Sequence, residues 1–86
     1  MFYVYILESL TTSKWYYGFT ARTPEQRLIE HNGNHLHFTA NKGPWKLIFI
    51  RAFETMSEAL GFEKRLKSLR NKKFIQAEFS QYFLKE

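Results

Sequence analysis

Glu63 is placed where a carboxylate could hold a metal ion. It follows Ala59 by four residues and precedes Leu66 by three, so on a helix it would lie at the edge of the apolar stripe and point toward the protein body. A carboxylate in that position needs a positive partner, either a hard divalent cation or a neighbouring Lys or Arg. The spacing leaves both alternatives open, a metal ligand and a structural ion pair.

Arg27 and His31 are four residues apart, so a helix would carry both on one face. A guanidinium there could bind two oxygens of a phosphate group at once, with an imidazole beside it. The alternative is an exposed polar face, with His31 near the end of the helix, where the helix dipole favours a positive charge.

Tyr5 and Tyr16 lie in two apolar stretches that are typical of paired strands, so their phenols could come within side-chain reach of each other. A phenol with an ordinary pKa near 10 is a poor base at neutral pH. We therefore expect Tyr5 to need Arg27 or a metal ion nearby to favour phenolate. Core or half-buried tyrosines without chemical function are the alternative.

These residue types match what phosphodiester hydrolysis needs in a chain without cysteine: an oxygen ligand for a hard cation, a cation facing the phosphate, and a base for water. His35 and His37 could hold zinc only with further ligands, which the sequence does not indicate. Several cationic side chains could follow a phosphate backbone, or could simply form solvated surface. They are Lys42, Lys64, Lys67, Arg70 and Lys72.

Composition favours a nucleic-acid partner for a small folded chain. The chain has 86 residues, which predicts one domain over 1–86, and its hydrophobic content of 44% excludes intrinsic disorder. Its net charge is +5, which attracts polyanions, although a solvated lysine-rich surface would have the same charge. Without cysteine or a long apolar segment, we expect a cytoplasmic protein with no membrane partner.

The first half of the chain predicts a hairpin followed by a helix. Residues 2–7 and 15–20 are rich in β-branched and aromatic residues, with small polar residues between them. Thr23 then precedes a proline and has a glutamine three residues later, which is typical of a helix N-terminus, and Asn32-Gly33 follows as a left-handed stop. We expect the helix to cover about 24–32.

The second half predicts a loop, a strand and two helices. Residues 33–44 are polar and aperiodic, whereas 45–53 form a strand that is apolar on both faces. Its predicted faces are Leu47/Phe49/Phe53 and Ile48/Ile50/Ala52. A capping box at Thr55 begins a helix, and a phase shift near Arg70 and Asn71 begins another. This predicts an α+β fold in the order β-β-α-β-α-α, a small three-stranded antiparallel sheet flanked by helices.

The ordered motifs resemble those of the GIY-YIG nuclease family over nearly the whole chain. The similarity is greatest to short stand-alone bacterial members, which are similar to catalytic modules of structure-specific and excision-repair endonucleases. It rests on Tyr3-Val4-Tyr5, Tyr16-Tyr17-Gly18, Arg27, His31, Ala59-Leu60-Gly61-Phe62-Glu63 and Lys67. Two positions depart from the family name: Tyr3 stands in place of glycine, and Tyr17 in place of isoleucine.

The resemblance implies a role for each matching residue. Tyr5 would be the base or the phenol that orients water, Tyr16 its partner at the phosphate, and Gly18 a backbone requirement. The remaining roles concern charge at the phosphate. Arg27 would stabilise the transition state, His31 would assist at the water or phosphate, and Glu63 would be the protein ligand of Mg2+ or Mn2+. Asn71 is a candidate for an asparagine that some members have late in the site.

The expected function is metal-dependent endonuclease activity on nucleic acid, with DNA as the expected polymer and DNA repair as a possible setting. So short a chain has little surface left for base readout, which favours branched, flapped or damaged structures over a long specific sequence. One alternative is a nucleic-acid-binding module without catalysis. Another is a subunit whose target is set by a protein partner.

Overall fold

The computed structural model describes residues 1–33 and 43–85, which form the predicted α+β fold. Its elements follow the order β-β-α-β-α-α, as the sequence predicts, and the three strands pair as an antiparallel sheet in the order β2-β1-β3. Within these two ranges, no helix is long and apolar enough to span a membrane. The elements are β1 (Phe2–Ser9), β2 (Trp15–Thr20), α1 (Pro24–Asn32), β3 (Trp45–Phe53), α2 (Met56–Leu69), α3 (Lys72–Glu78) and a 3-10 turn (Ser80–Tyr82).

Local capping explains where the first two helices begin. The Thr23 side chain accepts a hydrogen bond from the Gln26 N–H at the start of α1. At the start of α2, Thr55 accepts from the Glu58 N–H and donates to the Glu58 carboxylate at 2.8 Å. The helix starts predicted from these residues are therefore confirmed. The predicted left-handed stop after α1 is wrong, because the helix ends at Asn32 as expected but Gly33 has a φ of −81°.

The central strand β1 supplies side chains to two apolar clusters, one on each face of the sheet. Val4 and Ile6 pack with Phe49 and with the buried face of α2. Tyr5 and Leu7, which alternate with them, pack on the other face with Trp45 of β3 and Leu28 of α1. The predicted cover on both sides of the sheet is confirmed.

A bulge in β3 corrects one predicted face. Ile6 pairs with Phe49, but Leu7 pairs with Leu47, so Ile48 is an extra residue on β3. Because side chains alternate along a strand, one extra residue moves its neighbours to opposite faces. The prediction that Leu47 shares a face with Phe49 and Phe53 is wrong: Leu47 packs in the Tyr5 cluster and Phe49 in the other.

The C-terminal segment packs on the core and against the edge of β3. The Asn71 side chain accepts a hydrogen bond from the Phe74 N–H and caps α3, whose Ile75 is fully buried. Beyond the 3-10 turn, Phe83 pairs with Phe49 of β3, and the Leu84 N–H donates to the Ile48 carbonyl. These contacts cover part of an edge strand that would otherwise expose its backbone groups.

Candidate active site

Tyr5 lies at the centre of the sheet, and its ring covers Gly18 of β2. The two residues are paired across the strands, and Tyr5 is fully buried. A Cβ atom at Gly18 would lie 2.3 Å from the Tyr5 Cζ atom, closer than any real side chain could approach. No glycine in the described ranges has a positive φ. Gly18 therefore provides space for the Tyr5 ring, and the backbone requirement that the family resemblance implied for Gly18 stays a prediction.

Helix α1 brings His31 into contact with both candidate tyrosines. The His31 Nε2 atom lies 3.1 Å from the Tyr5 hydroxyl oxygen, a hydrogen-bonding distance. The His31 ring also packs on Tyr16, with 4.7 Å between the ring centroids. Because His31 is buried, the alternative of an exposed polar face does not describe it. Tyr5, Tyr16 and His31 thus form one aromatic cluster, which we call the tyrosine–histidine cluster.

Arg27, one helical turn before His31, lies beside this cluster. Its Nη1 atom donates to the Glu30 carboxylate at 2.7 Å. Its Nε atom is buried and has no hydrogen-bond partner in the described chain. An unpaired buried donor is costly, and a phosphate oxygen is one group that would satisfy it.

Glu63 extends from α2 toward the same two tyrosines. The side chain is 17% exposed, and its charge contributes to raising the pKa of both Tyr5 and Tyr16. The Lys67 Nζ atom lies 3.7 Å from Glu63 Oε1, so the ion pair considered as the alternative is present, but beyond hydrogen-bonding distance. A carboxylate with so loose a partner can still receive a cation.

The electrostatics of the cluster keep its groups neutral. Burial raises the pKa of Tyr5 above 10.0; Arg27 opposes the rise, whereas the charges of Tyr16 and Glu63 add to it. Burial, together with the positive charge of Arg27, lowers the pKa of His31 to about 4, although the negative charge of Glu30 opposes the change. Arg27 favours Tyr5 phenolate, as expected, but burial outweighs Arg27, so the Tyr5 pKa stays above its ordinary value among the protein's own groups. At neutral pH, the cluster consists of two phenols and an uncharged imidazole.

The donor set fits a magnesium-type ion held mainly by water and substrate. The described residues contain no group of three or more His, Asp or Glu that could enclose a metal. Mg2+ commonly binds through one or two carboxylates together with waters and substrate phosphates. Glu63, half-buried beside the phenols, meets that requirement for one carboxylate.

The predicted phosphate-binding residues differ in how far their side chains are available. Lys64, Lys67 and Arg70 are exposed on α2 or at its end. Lys72 is instead engaged: its Nζ atom donates to the Ser13 carbonyl at 2.5 Å and lies over the Trp15 ring. This contact connects α3 to the first hairpin, and the role of Lys72 in tracking a phosphate backbone stays a prediction.

Two groups of predicted residues remain to be placed. Lys42, His35 and His37 lie outside the described residues, as does most of the predicted 33–44 loop. Asn71, the candidate late asparagine, uses its side-chain oxygen to cap α3.

Three polar residues that were not predicted from the sequence, Arg22, Glu30 and Asn32, support the site. Glu30 binds Arg27 and also Arg22, and its spacing of three residues from Arg27 on a helix could have indicated the first contact. Asn32 bonds both backbone groups of Trp45, at 2.6 Å to the N–H and 3.1 Å to the carbonyl. These bonds fix the end of α1, and hence His31, against β3.

Comparison with known proteins identifies relatives that match most of this chain. The chain is 36% identical over 72 residues to the UPF0213 protein BH0048 of Halalkalibacterium halodurans, covering 83% of this chain and 74% of that protein. It is 38% identical over 72 residues to the UPF0213 protein HQ_3675A of Haloquadratum walsbyi, covering 83% and 79%.

A solved structure and a family model also match this chain. The solution NMR structure of the UPF0213 protein BH0048 from Bacillus halodurans matches with a TM-score of 0.57 and 32% identity, covering 95% of this chain and 87% of that one. Residues 1–76 match the model of the GIY-YIG catalytic domain, a nuclease-type domain that acts on nucleic acids. The chain therefore belongs to the GIY-YIG family.

Proposed function

We propose that this domain is an endonuclease that hydrolyses phosphodiester bonds of nucleic acid, with DNA as substrate and Mg2+ or Mn2+ as cofactor. The observation that carries the proposal is the meeting of four chemical groups from three elements. The His31 ring contacts the Tyr5 hydroxyl, and the charges of Arg27 and Glu63 both act on that phenol, so Tyr5 from β1, Arg27 and His31 from α1, and Glu63 from α2 lie near one another. A module that only binds would not need a phenol, an imidazole, a guanidinium and a carboxylate together.

Each of these residues has a distinct task in the proposed reaction. Arg27 would bind the phosphate through the N–H groups that Glu30 leaves available, and would stabilise the charge that develops during hydrolysis. The neutral Tyr5 phenol would orient the attacking water, because its raised pKa makes phenolate scarce at neutral pH. His31 would hold the phenol in place through their 3.1 Å contact.

Glu63 would hold the metal ion, with Tyr16 lining the same position. When bound, such an ion supplies Lewis-acid stabilisation of the leaving oxygen. The net charge of +5 adds attraction for the polyanionic substrate. Because the domain is short, we propose flapped, branched or damaged DNA, as met in repair, and the cytoplasm as its location; the cysteine-free chain is compatible with that compartment.

A cleavage assay with isosteric variants tests the proposal. Labelled single-stranded, duplex, flap and branched DNAs, with matching RNAs, would be incubated with magnesium, manganese or a chelator. The wild type should cut at least one DNA only when metal is present, and Glu63→Gln should abolish that cutting while its circular dichroism stays unchanged. Glu78→Gln is the matched control, since Glu78 is exposed on α3 and the charge change is the same.

Other results would support a different mechanism, function or substrate. Cutting that survives in Glu63→Gln would remove Glu63 from the mechanism. Binding without cutting under every metal condition would support the non-catalytic module, and activity that needs an added protein would support the partner-dependent subunit. Preferential cutting of the RNAs would change the substrate.

A further inference from the structure

Glu30 joins two arginines beside the tyrosine–histidine cluster. Arg27 Nη1 lies 2.7 Å from Glu30 Oε1. Arg22 Nη2 lies 3.1 Å from the same oxygen and 3.0 Å from Oε2. Arg27 and Glu30 are three residues apart on α1, whereas Arg22 comes from the turn that connects β2 to α1. We call these three residues the arginine–glutamate bridge.

The bridge restricts how Arg27 can present its donors. A guanidinium is planar, with its N–H groups in a fixed fork, so fixing one nitrogen limits where the others point. Nη1 is fixed by Glu30, and the buried Nε has no partner in the described chain. Arg27 also lies close enough to Tyr5 to influence the pKa of its phenol. Glu30 therefore acts on the donors that face the candidate site.

The charge balance of the bridge gives Arg22 a separate role. Arg27 and Glu30 alone would cancel, and a neutral pair would attract a phosphate poorly. Desolvation opposes ionisation of Glu30, but Arg27 and Arg22 hold its pKa below the usual value, so it is charged at neutral pH. Two guanidinium groups and one carboxylate leave one net positive charge beside Tyr5.

We propose that Glu30 is a positioning residue that orients Arg27 toward the substrate phosphate, and that Arg22 restores the positive charge that Glu30 would otherwise cancel. This inference rests on the proposed nuclease function. Glu30 would orient Arg27, whereas Arg22 would attract the substrate phosphate. Their substitutions should therefore change different kinetic constants.

Single-turnover cleavage at constant ionic strength separates the two roles. In Glu30→Gln, Arg27 loses its charged anchor, so the maximal rate should fall about 10-fold, in line with the cost of misplacing a reacting group. The half-saturating substrate concentration should stay equal or fall, because a negative charge has left the phosphate site. In Arg22→Gln, the half-saturating concentration should rise several-fold while the maximal rate changes less than twofold.

A matched control removes the effect of net charge. Glu25→Gln makes the same change on the same helix, at an exposed position in its first turn. It should leave the maximal rate unchanged. Glu30→Asp keeps the charge but shortens the side chain, so it should recover part of the rate that Glu30→Gln loses. General destabilisation would not produce this order of maximal rates among the three variants. Thermal melting of each variant checks that it is folded.

The mobility of the Arg27 side chain can be measured by NMR without cleavage, so it tests the inference even if the wild type cuts no DNA. The nitrogen-15 NMR signal of Arg27 Nε–H should show a rigid side chain in the wild type and in Glu25→Gln, and a mobile one in Glu30→Gln. An equally rigid Arg27 in Glu30→Gln would overturn the positioning role whether or not DNA is cut. A rigid wild-type Arg27 without any cleavage would count against the proposed function alone. A maximal rate in Glu30→Gln equal to that of Glu25→Gln would also overturn the inference.

Discussion

At the scale of single residues, the contact between Tyr5 and Gly18 decides the shape of the candidate site. The Tyr5 side chain occupies the space where any larger residue at position 18 would place its Cβ, 2.3 to 2.7 Å from two ring carbons and the hydroxyl oxygen. Gly18→Ala would normally strengthen a strand, because glycine loses more backbone entropy on folding. Here the clash should outweigh that gain and lower the free energy of unfolding by about 1–3 kcal/mol.

The same substitution should also reduce cleavage, because moving the Tyr5 ring lengthens its contact with His31. Gly61→Ala is the control: nothing lies within 4 Å of a Cβ at Gly61 in α2, so it should raise the free energy of unfolding by about 0.5–1 kcal/mol. Urea denaturation of both variants measures these effects. A Gly18→Ala variant as stable as the wild type would contradict the packing described.

His31 should make stability depend on pH in the acidic range. Its pKa is about 4 in the folded protein, below its ordinary value of 6.5. Between these values, the unfolded chain binds a proton that the folded chain does not, so stability is full above about 6.5 and falls as the pH drops toward 4. The pKa difference corresponds to about 3 kcal/mol.

Urea denaturation at neutral pH and near the folded pKa measures this effect. His31→Gln has no titrating side chain at position 31 and should lose about 2–3 kcal/mol less than the wild type between the two conditions. Carboxylates such as Glu30 titrate in both proteins, so their contribution cancels in the comparison. Equal losses in the two proteins would show that His31 does not titrate as described.

At the scale of elements, the sequence predicted what depends on local bonds. The Thr23 and Thr55 caps act within three residues, so the starts of α1 and α2 followed from the sequence alone. Asn32 was predicted only as part of a helix stop, because its bonds to Trp45 join residues 13 apart. The bulge at Ile48 was equally hidden, since it appears only when β3 pairs with β1.

The candidate site follows the same division between local and distant contacts. Arg27 and His31 share a face because a helix imposes that spacing, and this was predictable. That His31 is buried against Tyr5 depends on how α1 packs on the sheet. The engagement of Lys72 depends on a contact with Ser13, 59 residues earlier, which no local pattern indicates.

Asn71 offers a test of helix α3. Its side-chain oxygen caps the helix at 3.0 Å from the Phe74 nitrogen, so Asn71→Ala should lower the free energy of unfolding by about 1 kcal/mol. Asn71→Asp should keep the cap and the stability, since aspartate is as good an N-cap. Cleavage at a temperature where all three proteins are folded should be equal. If both variants are fully folded but have lost cleavage, Asn71 would instead belong to the active site.

At the scale of the whole molecule, a net charge of +5 on 86 residues should make binding to DNA strongly dependent on salt. Cations with exposed side chains would contribute by releasing counterions from the phosphates. Lys64 is exposed on α2, the helix that carries Glu63. Lys72, in contrast, connects α3 to the hairpin through Ser13 and Trp15. The two lysines carry equal charge and should affect binding differently.

The comparison of Lys64→Gln with Lys72→Gln tests this difference. Binding to a short DNA duplex would be measured between about 50 and 200 mM salt, with Glu63→Gln as the background so that no DNA is cut. Lys64→Gln should reduce the slope of log affinity against log salt by about 0.9, the value for one phosphate contact on duplex DNA, without changing the melting temperature. Lys72→Gln should lower the melting temperature and leave the slope unchanged, because its ammonium is held by the protein itself. A slope that changes in Lys72→Gln as much as in Lys64→Gln would mean that DNA displaces the Ser13 contact and that Lys72 belongs to the binding surface.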